Sequence, residues 1–198
     1  MARPRGFEEE KVLDAAAGCF WQAGFSATSL RDLTAATGLN APSLYNAFGD
    51  KEALFLRCLD RYLDGHMRAR IARLEATRPP REAIEAFLAE IVARSIEDPR
   101  GCLLVNTAVE AAPLAPAVAQ AVAARLAELE GFLLRCVRAG QREDRIARRP
   151  PRDLARLLLT TVMGLRVLAR AGADAATLRG AARQALALLD PPAPETRR

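Results

Sequence analysis

The stretch from Thr28 to Glu52, TSLRDLTAATGLNAPSLYNAFGDKE, limits what this chain can fold into more than any other. Thr28 or Ser29 offers a hydroxyl as N-cap, and Leu30, Leu33 and Thr37 then recur at helical spacing, which predicts a short helix with one buried side. Gly38 ends it, because glycine enters the left-handed region without steric cost. Leu39 plugs the corner, Asn40 supplies the next N-cap oxygen, and Pro42 falls in a first turn where a missing N–H costs nothing. In the second helix, Leu44 and Phe48 are four apart and face inward. Ser43, Tyr45 and Asn46 are left on the outer side, where they can hydrogen-bond phosphates or base edges.

Two short helices joined by a glycine-containing turn, the second with a polar outer face, form the pattern of a helix-turn-helix that lays its second helix in a DNA major groove. An ordinary helical hairpin has the same spacing. The string LYNAFGDKEALF, after the turn GLNAPS, resembles the DNA-binding head of the TetR/AcrR family of bacterial regulators, and the similarity runs from Phe7 to Phe55. Position by position, that resemblance makes Thr28 and Tyr45 phosphate contacts and Lys51 a clamp on the DNA backbone. Ala41, Pro42, Ser43 and Asn46 come nearest the bases, and the N-cap Asn40 counts with them as a DNA-binding residue. Ala41 stands where the family often has a basic residue, and Ala47 where it often has histidine.

Bulk charge does not carry this reading. The formal charge is +5, yet residues 1–56 hold five basic side chains (Arg3, Arg5, Lys11, Arg31, Lys51) against seven acidic ones. The excess lies later, with fourteen arginines after residue 134 against six acids. Placement of individual side chains, not net charge, supports DNA binding. The opening MARPRGF has no apolar run after its basic pair, which argues against a secretory signal, and no window is apolar enough to span a bilayer. A cytoplasmic protein is expected. Cys19, Cys58, Cys102 and Cys136 form no CxxC pair and are expected as free thiols, with no metal site and no cofactor.

The remainder reads as helices broken by proline or glycine, an all-α chain of about nine helices. A helix from Glu8 to Ala23 lines Val12, Ala16, Cys19, Phe20 and Ala23 along one face, after a basic arm carrying Arg3 and Arg5 that could reach DNA. A long helix from Lys51 to Thr77 buries Leu54, Phe55, Cys58, Leu59, Tyr62, Leu63 and Ile71, with His66 as a partly exposed filler. Next come helices over 81–97, 102–112, 117–139, 152–171 and 174–189, with a polar loop after Ala139 and breaks at Pro99, Pro113 and Pro116. The expected organisation is a three-helix DNA-binding head over 1–50 and a helical effector-binding and dimerisation body over 51–198. The helix over 152–171 is apolar around much of its circumference and needs partners on two sides. Its two faces hold Leu154, Leu157, Leu158, Thr161 and Leu165 on one side, and Leu159, Val162 and Met163 on the other. The last two helices are therefore expected to pair with a second copy as a four-helix bundle, with the small residues Gly164, Ala181, Ala182 and Ala185 allowing close approach and Leu159, Val162, Met163, Arg166, Ala182, Ala185 and Leu189 in the interface. The family resemblance implies the same interface.

An effector cavity between the body helices is expected to be lined by Phe87, Ile91, Cys102, Leu103, Leu104, Thr107, Ala108, Phe132 and Cys136. In RGCLLVNTAVE, Cys102 starts a helix beside Arg100, an arrangement that favours thiolate and hence reaction with electrophiles. The segment resembles a TetR subgroup containing the N-ethylmaleimide-sensing repressor. These observations lead to a dimeric repressor of a pseudo-palindromic double-stranded operator, released by an unknown small molecule or by an electrophile or oxidant at a body thiol, without membrane association. A thiol-dependent enzyme using Cys102 is the rival. It lacks a partner for its one histidine, a Ser/His/Asp order, a phosphate loop and metal-ligand spacing. A helical ligand-binding or scaffolding protein with a vestigial head is the third reading.

Overall fold

Each helix of the head is started and stopped by the residues the sequence supplies for it. In the computed structural model, which describes residues 5–98, 100–111 and 115–192, Arg5–Ala23 forms α1, Leu30–Thr37 α2 and Ala41–Phe48 α3. Ser29 caps α2 through a capping box: its hydroxyl accepts from the Asp32 N–H, while the Asp32 carboxylate accepts from the Ser29 N–H at 2.9 Å. Gly38, at φ 71°, closes α2. The Asn40 side chain accepts from the Ser43 N–H at 2.9 Å to open α3, and Asp50 does the same for Ala53 at 2.7 Å to open α4, Lys51–Leu63. Such caps are each worth about 1 kcal/mol, so short helices with little intrinsic stability of their own begin and end in fixed places.

The chain continues from α4 through a π-helical turn, Asp64–Arg68, into α5, Ala69–Thr77. Then come α6 (Pro80–Glu97), α7 (Leu103–Glu110), α8 (Pro116–Arg142), α9 (Pro151–Arg170) and α10 (Ala175–Ala187). Counting α4 to α5 as one helix gives nine among the described residues, and no strand. The all-α expectation holds. The π turn departs from the single regular helix expected over Lys51 to Thr77, and its extra residue rotates the helix beyond it: Met67 and Leu74 point inward, while Ile71 is only half-buried. In α1, Leu13 joins Ala16 and Phe20 in the core and Ala23 is exposed. Arg3, the Arg5 side chain, Pro99, Pro113 and the tail 193–198 lie outside the described residues.

The chain divides into two compact units. The first, residues 1–69 with 102–125, contains α1 to α4, the π turn and α7. Its core is aromatic: Phe20 meets Phe55 edge-on at 4.9 Å, and Phe25 lies 4.9 Å from the same ring. Arg61 forks onto Asp14 at 2.6 and 2.8 Å, binding α4 to α1. That hydrogen bond holds the Asp14 carboxyl below the usual range against a smaller opposing effect of burial. The second unit, 70–101 with 126–198, packs α6, α8, α9 and α10 around Phe87 and Phe132, whose rings are 5.3 Å apart.

The residues expected at the dimer face divide between the interior and the surface of the second unit. Val162, Arg166, Ala182 and Leu189 are buried within the single chain, and Leu159 and Met163 are half-buried. Arg166 points inward, its guanidinium donating to the Ser95 hydroxyl on α6 at 3.1 Å. The outward apolar surface is the other side of α9 and α10. There Leu157, Thr161, Gly164, Leu168, Ala181, Gln184 and Leu188 rim a shallow groove of about 510 Å³ with Ala185 at its floor. Leu157, Leu168 and Leu188 are each about 41–42% exposed. Both sides of α9 are apolar, so periodicity gives two faces without saying which one the chain keeps for its own core.

Candidate DNA-binding site

The outer side of α3 is built as its spacing requires. Leu44 and Phe48 are buried, which turns Pro42, Ser43, Tyr45, Asn46 and Ala47 to solvent, with Asn40 exposed at the cap and Ala41 half-exposed. Tyr45 is 40% exposed, a large aromatic with a free edge and a hydroxyl at its tip. An exposed phenol beside a small hydroxyl and a carboxamide can donate to phosphate oxygens and read base edges together.

Thr28 departs from the expectation. It is fully buried, and its hydroxyl donates to the Gly24 carbonyl at 2.6 Å, so it is not offered to a phosphate. It holds the turn between α1 and α2 shut, and Ser29 takes the capping role instead. Lys51 is half-buried at the same turn. Its ammonium donates to the Ser26 carbonyl at 3.4 Å and lies 4.9 Å from the centre of the Phe25 ring. The cation ties α4 to the turn.

On the other side of the same residue, the Ser26 N–H donates to the Glu110 carboxylate of α7 at 3.0 Å. Gly24 makes room for that carboxylate: at φ 87° a Cβ there would run into Glu110. No local pattern foretells this latch, since eighty-four residues separate its ends. Glycine at a helix stop has a sufficient local reason, which hides the second one.

The other end of α7 is Cys102. It is half-buried at the N-cap position, and the Tyr62 hydroxyl donates to its Sγ at 3.8 Å. Tyr62 in turn stacks on His66 at 4.4 Å and meets Trp21 of α1 edge-on at 5.0 Å. Arg100, expected beside Cys102, forks its guanidinium onto Asp98 at 2.7 and 2.9 Å. Of the expected effector lining, Leu103 and Thr107 are buried on α7, with the Thr107 hydroxyl donating to the Leu103 carbonyl. Phe87, Ile91, Phe132 and Cys136 are buried in the second unit. Burial pushes the Cys58 and Cys136 thiols up to about 12, aided at Cys136 by the Glu75 carboxylate, and raises Cys19 as well. Brief treatment of the folded protein with N-ethylmaleimide at about pH 7.5 is therefore expected to leave Cys58 and Cys136 unmodified, as read by peptide mass spectrometry. Equal labelling of all four cysteines would contradict this.

Residues 12–58 match the family described as bacterial regulatory proteins, tetR family, and residues 80–185 match the tetracyclin repressor-like C-terminal domain. The HTH-type transcriptional repressor ComR of Escherichia coli (strain K12) is 34% identical over 182 residues, spanning 87% of this chain and 84% of ComR. A cysteine mutant of the TetR family regulator CifR, solved in complex with 26bp double-strand operator DNA, superposes with a TM-score of 0.83 at 34% identity, covering 95% of this chain and 100% of that one. The reduced form of E. coli NemR shares the fold, with a TM-score of 0.83 at 21% identity over 94% and 99% of the two chains. Among the described residues no helix is long and apolar enough to cross a membrane, and no acidic, histidine and cysteine side chains cluster as a metal site. Head and body are both matched, and the chain belongs to the TetR family of bacterial transcriptional regulators, which are not enzymes.

Proposed function

We propose that the protein is a cytoplasmic homodimeric repressor that reads a pseudo-palindromic operator through Asn40 to Asn46 and lets go of it when Cys102 is modified. The head over 1–50 reads DNA, and the body over 51–198 dimerises and senses. The observation that carries the DNA reading is the outward set Ser43, Tyr45 and Asn46 over a buried Leu44 and Phe48. The operator complex of CifR, a relative at 34% identity, supports the same role here. Two copies of α3 about 34–36 Å apart can enter successive major grooves on one side of the duplex.

The thiol reading rests on the contact of Cys102 with Tyr62, because Tyr62 packs on Trp21 of α1. Addition of the Cys102 sulfur to an activated alkene forms a C–S bond and places the thiol proton on the neighbouring carbon. The bulk of the adduct then has to displace Tyr62, and with it the edge-on contact that Tyr62 makes with Trp21 of α1. Such a push changes operator affinity only by the difference in stability of the two head conformations with and without the adduct. A small-molecule effector acts by the same rule.

Gel-shift titration against operator fragments selected from random DNA tests both parts. Tyr45→Phe is expected to weaken binding by about two- to tenfold through one lost hydrogen bond. Lys51→Ala is expected to lower the salt slope by about one. Cys102→Ser should bind as the parent does but resist release by N-ethylmaleimide. Full release of that variant would remove the thiol trigger, and unchanged slopes would take Lys51 off the phosphates.

A further inference from the structure

Between α6 and α10 the second unit carries a groove of about 360 Å³ that neither the DNA-binding surface nor the expected effector lining uses. Its floor is aliphatic, with Leu88, Val92 and Ala182 at the base, and Ile96 on the rim is 42% exposed. Ala89 and Ala93 keep the α6 side low and leave the groove open to solvent. Its polar groups are Glu85, Arg179 and Arg183. Glu85 pairs with Arg81 at 2.7 Å, a guanidinium that it shares with Asp190. Arg179 and Arg183 stand four apart on α10, both exposed, and neither forms an ion pair among the described residues. Two like charges one turn apart repel each other, so the helix alone gains nothing from this placement.

An apolar trough with two uncommitted guanidinium groups at its lip matches one chemistry: a monoanion with an apolar tail. We infer that this groove binds an aliphatic carboxylate of medium chain length, its headgroup held by Arg179 and Arg183 and its tail lying over Val92 and Ile96. A carboxylate accepts two guanidinium donors in a planar fork, and these charge-assisted bonds are the strong ones. The volume lies in the range of small-molecule sites, and the tail removes exposed aliphatic surface from water. This site is separate from Cys102 and stands whether or not the thiol is a trigger.

Isothermal titration calorimetry of the full-length protein with decanoate, below its micelle concentration, tests the assignment. Saturable binding of one decanoate per chain is expected, with decanol and decylammonium at least about tenfold weaker because they lack the anion. The double variant Arg179→Gln, Arg183→Gln should lose at least about tenfold in affinity, and Ala93→Trp should abolish binding by filling the trough. All three substitutions are at exposed helical positions, and circular dichroism should show the parent's helix content. Absence of decanoate binding would overturn the proposal. So would binding that both variants retain, which would place the ligand elsewhere, or equal affinity for decanol. A parent dimer that Ala93→Trp converts to monomer would assign the groove to a second copy of the chain and overturn it equally.

Discussion

Replacing Leu157 and Leu168 together by glutamate is expected to yield a folded monomer that binds a full operator at least about 100-fold more weakly than the parent. Both side chains are already about two-fifths exposed on one side of α9 in the single chain, so charge there costs the isolated fold little. In the proposed dimer the same positions face a second copy across the small residues Gly164 and Ala181, where four carboxylates would be desolvated without partners. The loss in DNA affinity comes from uncoupling two heads whose simultaneous engagement raises effective concentration. Sedimentation should show the change of mass, and a gel shift on a single half-site should show little change. If the double variant stays dimeric, the interface is not the outer face of α9 and α10. The same change at Val162 and Leu189 is expected to unfold the second unit instead, since both are buried in its core.

What can be read from the sequence is local. Ser29, Gly38, Asn40 and Asp50 each act within three or four residues, so the boundaries of α2, α3 and α4 are visible, as is the burial of Leu44 and Phe48. The π turn is not visible, because one extra residue in a helix leaves no mark on composition and shows only as a shift of the inward position to Leu74. Thr28 misleads as a DNA contact for a related reason. A threonine at a helix start suits capping and phosphate binding equally, and only the position of the Gly24 carbonyl decides that its hydroxyl is used internally. The outer face of α9 escapes differently, since two apolar faces are indistinguishable until one is covered. Glu110 is invisible altogether, its partner being a backbone N–H far away in sequence.

That last contact has the second large consequence. Gly24→Val is expected to lower the stability of the protein by roughly 2–5 kcal/mol and to abolish operator binding at concentrations where the parent is saturated. A β-branched residue at φ 87° is strained in itself, and its Cβ occupies the space of the Glu110 carboxylate. Expelling the carboxylate also strips the Ser26 N–H of its acceptor, while Lys51 still pulls on the Ser26 carbonyl from the other side. The turn that sets the angle of α2, and through α2 that of α3, then keeps only the Thr28 and Lys51 contacts. Glu110→Gln separates strain from latch: it keeps shape and an acceptor oxygen but exchanges a charge-assisted bond for a neutral one, so a loss of about 1 kcal/mol is expected. Thermal melts and gel shifts on both variants check this. If Glu110→Gln costs operator affinity well beyond its cost in stability, the latch transmits the position of α7 to the reading helix. If both fall in proportion, Glu110 serves stability alone.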